Sequence, residues 1–111
     1  MLETNVQEMK RVDLITVAGR VDSSTAHELE QVLEERTKHG RYNLVLEMSG
    51  VTYLSSAGLR ALVSTLRNCK KRGGDVRIAN PSQRVQEVME LAGLDVLFDT
   101  FDDVTVAVGS Y

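Results

Sequence analysis

Two adjacent serines, Ser55 and Ser56, stand between an apolar run and a segment of helical periodicity. A hydroxyl there can cap the helix by accepting a hydrogen bond from a free backbone N–H, which contributes about 1 kcal/mol. It can also carry a phosphate, because the free N–H groups and the dipole at a helix N-terminus accommodate negative charge. Local chemistry favours the cap. Hydrolysis would need a base and an orienting acid, and His27 with Asp22 would complete a triad with Ser56 on paper. However, the serines lie in Leu-Ser-Ser-Ala-Gly rather than in a Gly-x-Ser-x-Gly elbow, and nothing in the spacing fixes a triad. A Ser hydrolase is therefore a distant alternative. No Walker-type glycine loop supports nucleotide hydrolysis. His27 and His39 have no cysteine cluster near them and lack metal-site spacing; both read as solvated helix histidines. Cys69, the single cysteine, cannot form an intramolecular disulfide and fits a reducing compartment. Lys70 and Lys71 beside it would lower its pKa somewhat, but a lone helix cysteine is expected to be inert.

The elements that must position these residues follow from hydrophobic periodicity. Leu2 to Met9 reads as an edge strand. Val12 to Ala18 is a stronger one, with Val12, Leu14 and Thr16 on one face and Asp13, Ile15 and Val17 on the other. Lys10-Arg11 links the two as a hairpin, and Gly19 is expected to end the second strand. Asp22-Ser23-Ser24-Thr25 opens a helix, with Thr25 and Glu28 at capping-box spacing. Ala26, Leu29, Val32 and Leu33 follow at helical intervals, and Gly40 closes the helix. Tyr42 to Met48 has the continuous apolar middle of a buried central strand, and Ser49 to Ser56 reads as a loop. Leu59, Leu62, Val63 and Leu66 then form the stripe of a second helix, stopped by Gly73-Gly74. Val76 to Ala79 is a short strand. Ser82 can cap a third helix that turns Val85, Val88, Met89 and Ala92 inward. A last strand is expected at Val96 to Phe98. A final helical turn or two fits Asp102 to Val108, although the β-branched valines and Thr105 weigh against it. The order is β-β-α-β-α-β-α with a loose end. That implies an α/β fold: a small mixed, largely parallel sheet packed with about four helices.

With 111 residues, the chain can bury one core, so a single domain over residues 1–111 is expected. A hydrophobic content of 42% places it among folded chains. No apolar run is longer than a strand, so membrane insertion is not expected. Met1 to Lys10 carries Glu3 and Glu8 rather than an apolar signal core, and a cytoplasmic location follows as an expectation. A net charge of −3 and the absence of tryptophan argue against direct nucleic-acid binding.

The string Leu44-Val-Leu-Glu-Met-Ser-Gly-Val-Thr-Tyr-Leu-Ser-Ser-Ala-Gly-Leu59 resembles the signature of STAS domains of the anti-sigma-factor-antagonist family. There a hydrophobic strand leads through a short loop to Asp-Ser-(Ser/Ala/Thr)-Gly-Leu at a helix start. Ser56 takes the place of the phosphorylated serine, Ala57 the small residue, Gly58 the glycine and Leu59 the first core leucine. Ser55 stands where the family has an acid. Gly19-Arg-Val-Asp22 is similar to the family's Gly-x-x-Asp turn. Gly73-Gly74-x-Val-x-Ile-Ala79 and Val85 to Leu94 also look like the family, so the resemblance spans nearly the whole chain.

The resemblance implies partner switching. The unphosphorylated chain would bind an anti-sigma factor that is also an ATP-dependent serine kinase, and the sigma factor would be released. Phosphorylation of Ser56 would dissolve the complex, and a metal-dependent serine phosphatase would reset it. ATP and magnesium would sit on the kinase, leaving this chain without a cofactor, and a monomer is expected. Asp22 would lie close to Ser56 and be recognised by the kinase, although an aspartate also suits a plain turn. Ser55, Ala57 and Gly58 would belong to the partner-binding surface. Arg60, one helical turn after Ser56, would reach a phosphate there. Together with Ser64, Arg67 and Lys71 it would form a basic stripe facing the kinase or, more plainly, a solvated helix face. The alternative within the family is a STAS binding subunit or scaffold without phosphorylation, for example of a lipid-transport ATPase.

Overall fold

The computed structural model describes residues 2–111. Nine elements follow one another: β1 (Leu2–Glu8), β2 (Asp13–Val21), α1 (Ala26–Lys38), β3 (Asn43–Leu54), α2 (Ser56–Lys71), β4 (Asp75–Ala79), α3 (Gln83–Leu91), β5 (Thr100–Phe101) and α4 (Val104–Gly109). The five strands lie in one sheet in chain order. The β1–β2 hairpin is antiparallel and every later pair is parallel. A parallel neighbour needs a crossover, and crossovers of one hand in one direction put their helices on the same face. Strand alternation divides the side chains accordingly. Ile15, Val17, Leu44, Leu46, Val76 and Ile78 pack with α1, α2 and α3 in the main core. On the other face, Val12, Leu14, Val45 and Ala79 meet Ala107 of α4. The inward and outward sets of β2 are those its alternation predicts.

Three boundaries differ from the sequence reading. Gly19 does not end β2. It takes a left-handed φ of 100°, which costs glycine nothing, and the strand runs on to Val21 past a register shift. β3 likewise extends six residues beyond Met48, through the segment read as a loop. Its continuation pairs with the end of β2, Arg20 opposite Tyr53 and Val21 opposite Leu54, while Val51 and Leu54 are buried. The last strand falls at Thr100–Phe101 rather than at Val96–Phe98. Phe98 alone of that triplet is buried, with Val96 82% exposed. The final helical turn is present as α4, capped by Asp103.

A buried charge cluster pins the end of the sheet where β2 and β3 begin. Asp13 is fully buried, and its carboxylate accepts from Arg41 Nε at 2.9 Å and Arg36 Nη1 at 3.5 Å. Arg41 also donates to the Met9 carbonyl. Removing one partner of such a pair leaves a buried charge uncompensated, a loss of about 3–5 kcal/mol.

Candidate functional site

The opposite end of the sheet, where β2 and β3 finish, holds the residues with chemistry to offer. Ser55 and Ser56 divide the work there. Ser55 is the N-cap of α2: its backbone is extended and its Oγ accepts from the Gly58 N–H at 3.2 Å. Ser56 is the first helical residue. It is exposed, and among the described residues its hydroxyl has no hydrogen-bond partner. Capping therefore explains Ser55 and leaves Ser56 without a structural task. The first turn of α2 has no acidic side chain, so within the turn the N–H groups and the positive end of the helix dipole favour an anion.

The β2–α1 loop is tied to this turn. The Ser55 N–H donates to the Val21 carbonyl at 2.8 Å. Gly58 permits the approach, since a Cβ there would lie 2.6 Å from Val21 Cγ1 and 2.8 Å from Leu54 Cδ1. Asp22 follows directly on Val21, so the loop and both serines share one end of the molecule. The Asp22 carboxylate accepts from the Ser24 hydroxyl at 2.7 Å and from the N–H groups of Ser24 and Thr25 at 3.0 and 3.1 Å. The Ser24 hydroxyl does most to lower its pKa, to about 2, so Asp22 is a fixed anion. The capping box expected from Thr25 and Glu28 is absent. Thr25 instead donates its hydroxyl to the Arg20 carbonyl at 2.8 Å and accepts from the Asp22 N–H at 2.9 Å, which makes Asp22 the organiser of the loop.

Two residues join this end that the sequence reading left unassigned. The Arg20 guanidinium lies 4.5 Å from the centre of the exposed Tyr53 ring, in stacking range. Its Nε is 3.7 Å from the Asp22 carboxylate, an exposed pairing of small energetic weight. Arg20 and Tyr53 meet because the strands run on past Gly19 and Met48. The β-prone run Val51-Thr52-Tyr53-Leu54 was the available signal for that extension.

Ala57 is half-buried against the core. Arg60 and Arg67 are exposed on α2, and with Ser64 and Lys71 they line one open groove of about 660 Å³ between α2 and Leu94, so the basic stripe does occupy one face. His27 is exposed on α1, while Asp22 spends its carboxylate on Ser24 and Thr25, so the triad is not assembled. Cys69 corrects an expectation. Burial, and then the nearby charge of Asp75, push its thiol up to about 11 rather than down. No helix among the described residues is long and apolar enough to cross a membrane.

The STAS domain family model matches residues 3–107 of this chain. The anti-sigma-B factor antagonist of Bacillus subtilis (strain 168) is 26% identical over 98 residues, covering 88% of this chain and 89% of that protein. The anti-sigma-B factor antagonist of Staphylococcus aureus (strain NCTC 8325 / PS 47) is 29% identical over 93 residues, covering 84% of each. Among solved structures, an anti-sigma factor antagonist from Mycobacterium paratuberculosis superposes with a TM-score of 0.89 at 26% identity, covering 99% of this chain and 93% of that one. The mixed sheet with its helices, and the motif running from β3 into α2, therefore have one explanation: this chain belongs to the STAS domain family, and relatives similar to it over most of their length are anti-sigma-factor antagonists.

Proposed function

We propose that this chain is itself an anti-sigma-factor antagonist, switched by phosphorylation of Ser56. The observation that carries the reading is the division between the two serines: Ser55 caps α2 while the Ser56 hydroxyl stays exposed and unengaged. In its unphosphorylated form the chain binds an anti-sigma serine kinase through the β2–α1 loop and the outer face of α2. Asp22 is the anion the kinase recognises, Ser55 fixes the turn, and small Ala57 lets the partner approach, whereas Gly58, expected on that surface, is buried against Val21 and Leu54 and acts by seating the turn. Arg60 and Arg67 extend the contact along α2. The kinase holds ATP and magnesium. The Ser56 Oγ attacks the γ-phosphorus, the bond to the ADP oxygen breaks, and the hydroxyl proton passes to a base on the kinase. A serine phosphatase reverses the step by hydrolysis. The chain acts in the cytoplasm as a monomer.

The physical basis of release is charge. A phosphate brings about −1.5 to −2 charge to the middle of the contact. A desolvated charge without a partner costs several kcal/mol, and each 1.4 kcal/mol is about tenfold in affinity. The helix N-terminus stabilises the same phosphate within the free chain, so both effects favour dissociation.

The test is intact-mass spectrometry of the chain after incubation with its candidate kinase and magnesium-ATP, with Ser56→Ala alongside. One added phosphate on the wild type and none on Ser56→Ala is the expected result. No phosphate from an active kinase would leave a constitutive STAS binding module and overturn the switch.

A further inference from the structure

The basic stripe of α2 is not surrounded by solvent alone. The turn that follows α3 lies over the helix, with the Leu97 N–H donating to the Leu94 carbonyl at 3.0 Å. Leu94 and Leu97 stand above Val63 and Leu66. They form two adjoining open concavities of about 660 and 480 Å³ that share Val63, Arg67 and Lys71. The floor is apolar and the rim is cationic. Leu97 is 44% exposed, and Leu91 and Val96 nearby in the chain are 90% and 82% exposed. Of these three, Leu97 is the one that lines the groove.

Charge selects the occupant. In its sixteen residues α2 carries Arg60, Arg67, Lys70 and Lys71 and no acid, although the chain as a whole has a net charge of −3. Among the described residues, none of these four cations has a carboxylate within ion-pair distance. The stripe from Arg60 to Lys71 is about 16 Å long, or three helical turns. A furrow of that length with an apolar floor and cationic edges complements a helix with an apolar row at i, i+3, i+4 and i+7 and acidic flanks. An apolar floor set below a cationic rim fits a convex helix better than the flat surface of a membrane.

We infer that the groove between α2 and the turn after α3 receives an acidic amphipathic helix of the protein partner, with the partner's apolar row on Val63, Leu66, Leu94 and Leu97 and its carboxylates on Arg67 and Lys71. The inference rests on the reading above, that this face meets a protein. It adds the class of segment that docks and puts the seat along the helix, away from Ser56.

The test titrates the isotope-labelled full chain with a synthetic helical peptide that has leucines at i, i+3, i+4 and i+7 flanked by glutamates. The same peptide with lysine flanks, and vesicles containing anionic phospholipid, are run beside it. The expected result is amide shifts confined to α2 and residues 94–97, with binding at least tenfold weaker in Arg67→Glu/Lys71→Glu. Circular dichroism checks that this exposed double variant stays folded. Shifts elsewhere, or equal binding of the lysine peptide, would overturn the groove. Vesicle binding lost in the double variant would also overturn it, in favour of a membrane surface. The two readings separate through phosphate transfer. If peptide binding fails while the kinase phosphorylates Ser56 normally, the groove alone falls. If the peptide binds at the groove but Ser56 is never phosphorylated, the switch alone falls.

Discussion

The backbone N–H of Ser55 donates to the carbonyl oxygen of Val21 across 2.8 Å. That bond joins the first turn of α2 to the loop that carries Asp22. The contact is between main-chain groups, so it depends on how closely the helix start can approach β2 rather than on the side chain of either residue.

Gly58 sets that approach. In an exposed helix Gly→Ala stabilises by about 1 kcal/mol. At Gly58 the new methyl meets Val21 and Leu54 at 2.6 and 2.8 Å, and both are buried. Overpacking of this kind costs about 1–3 kcal/mol. Gly58→Ala is therefore expected to lower Tm, by up to roughly 8 °C for a net loss of about 2 kcal/mol, against the sign of helix propensity, and to speed amide exchange at Ser55. Thermal unfolding with hydrogen exchange would show whether the sign reverses.

Neighbouring serines should give different answers in the absence of any partner. Ser55→Ala removes the cap bond to Gly58 and is expected to cost about 1 kcal/mol. Ser56→Ala removes an exposed hydroxyl and should stay within about 0.5 kcal/mol of wild type. Urea midpoints of the two variants provide the comparison. A larger loss from Ser56→Ala would mean that Ser56, not Ser55, holds the helix end.

Acid should weaken the Asp22 loop in a defined window. The folded-state pKa of Asp22 is about 2 against an ordinary 3.8, so the ionised form is the one folding favours. Its contribution is fully present above about pH 4 and is lost as the pH falls through about 2. The stability gap between wild type and Asp22→Asn is expected to be constant from pH 5 to 7 and to shrink below pH 4. Denaturation at a series of pH values measures it, and a gap that persisted at pH 2 would contradict the assignment.

Cys69 should report opening of the fold. Its buried thiol is pushed up to about 11, against about 8.5 for a free cysteine. At pH 8 the native chain is expected to react with iodoacetamide at least roughly a hundredfold more slowly than the unfolded chain. Mass spectrometry of timed samples would follow the label, and fast native labelling would place the thiol at the surface.

The alternation of β2, the stripe of α2 and the Ser82 cap of α3 were legible in the sequence because each rests on local periodicity or local hydrogen bonding. The ends of β2 and β3 were not. Gly19 and Ser49-Gly50 are turn formers taken alone, and only pairing between the two strands carries the chain through them. The meeting of Arg20 and Tyr53 depends on that same non-local register. Thr25 and Glu28 had the spacing of a capping box, but Asp22 takes the loop's donors first. The candidate serine was visible, yet which of Ser55 and Ser56 caps α2 is settled by a single bond to Gly58.

Asp13, Arg36 and Arg41 lock the end of the sheet opposite Ser55 and Asp22. Substitutions that share no partners and lie far apart act almost independently. The two ends of this sheet can therefore accumulate changes on separate accounts of selection. The ion-pair base can tighten or loosen as temperature demands while the rim around Ser55 and Asp22 is redrawn without cost to the fold.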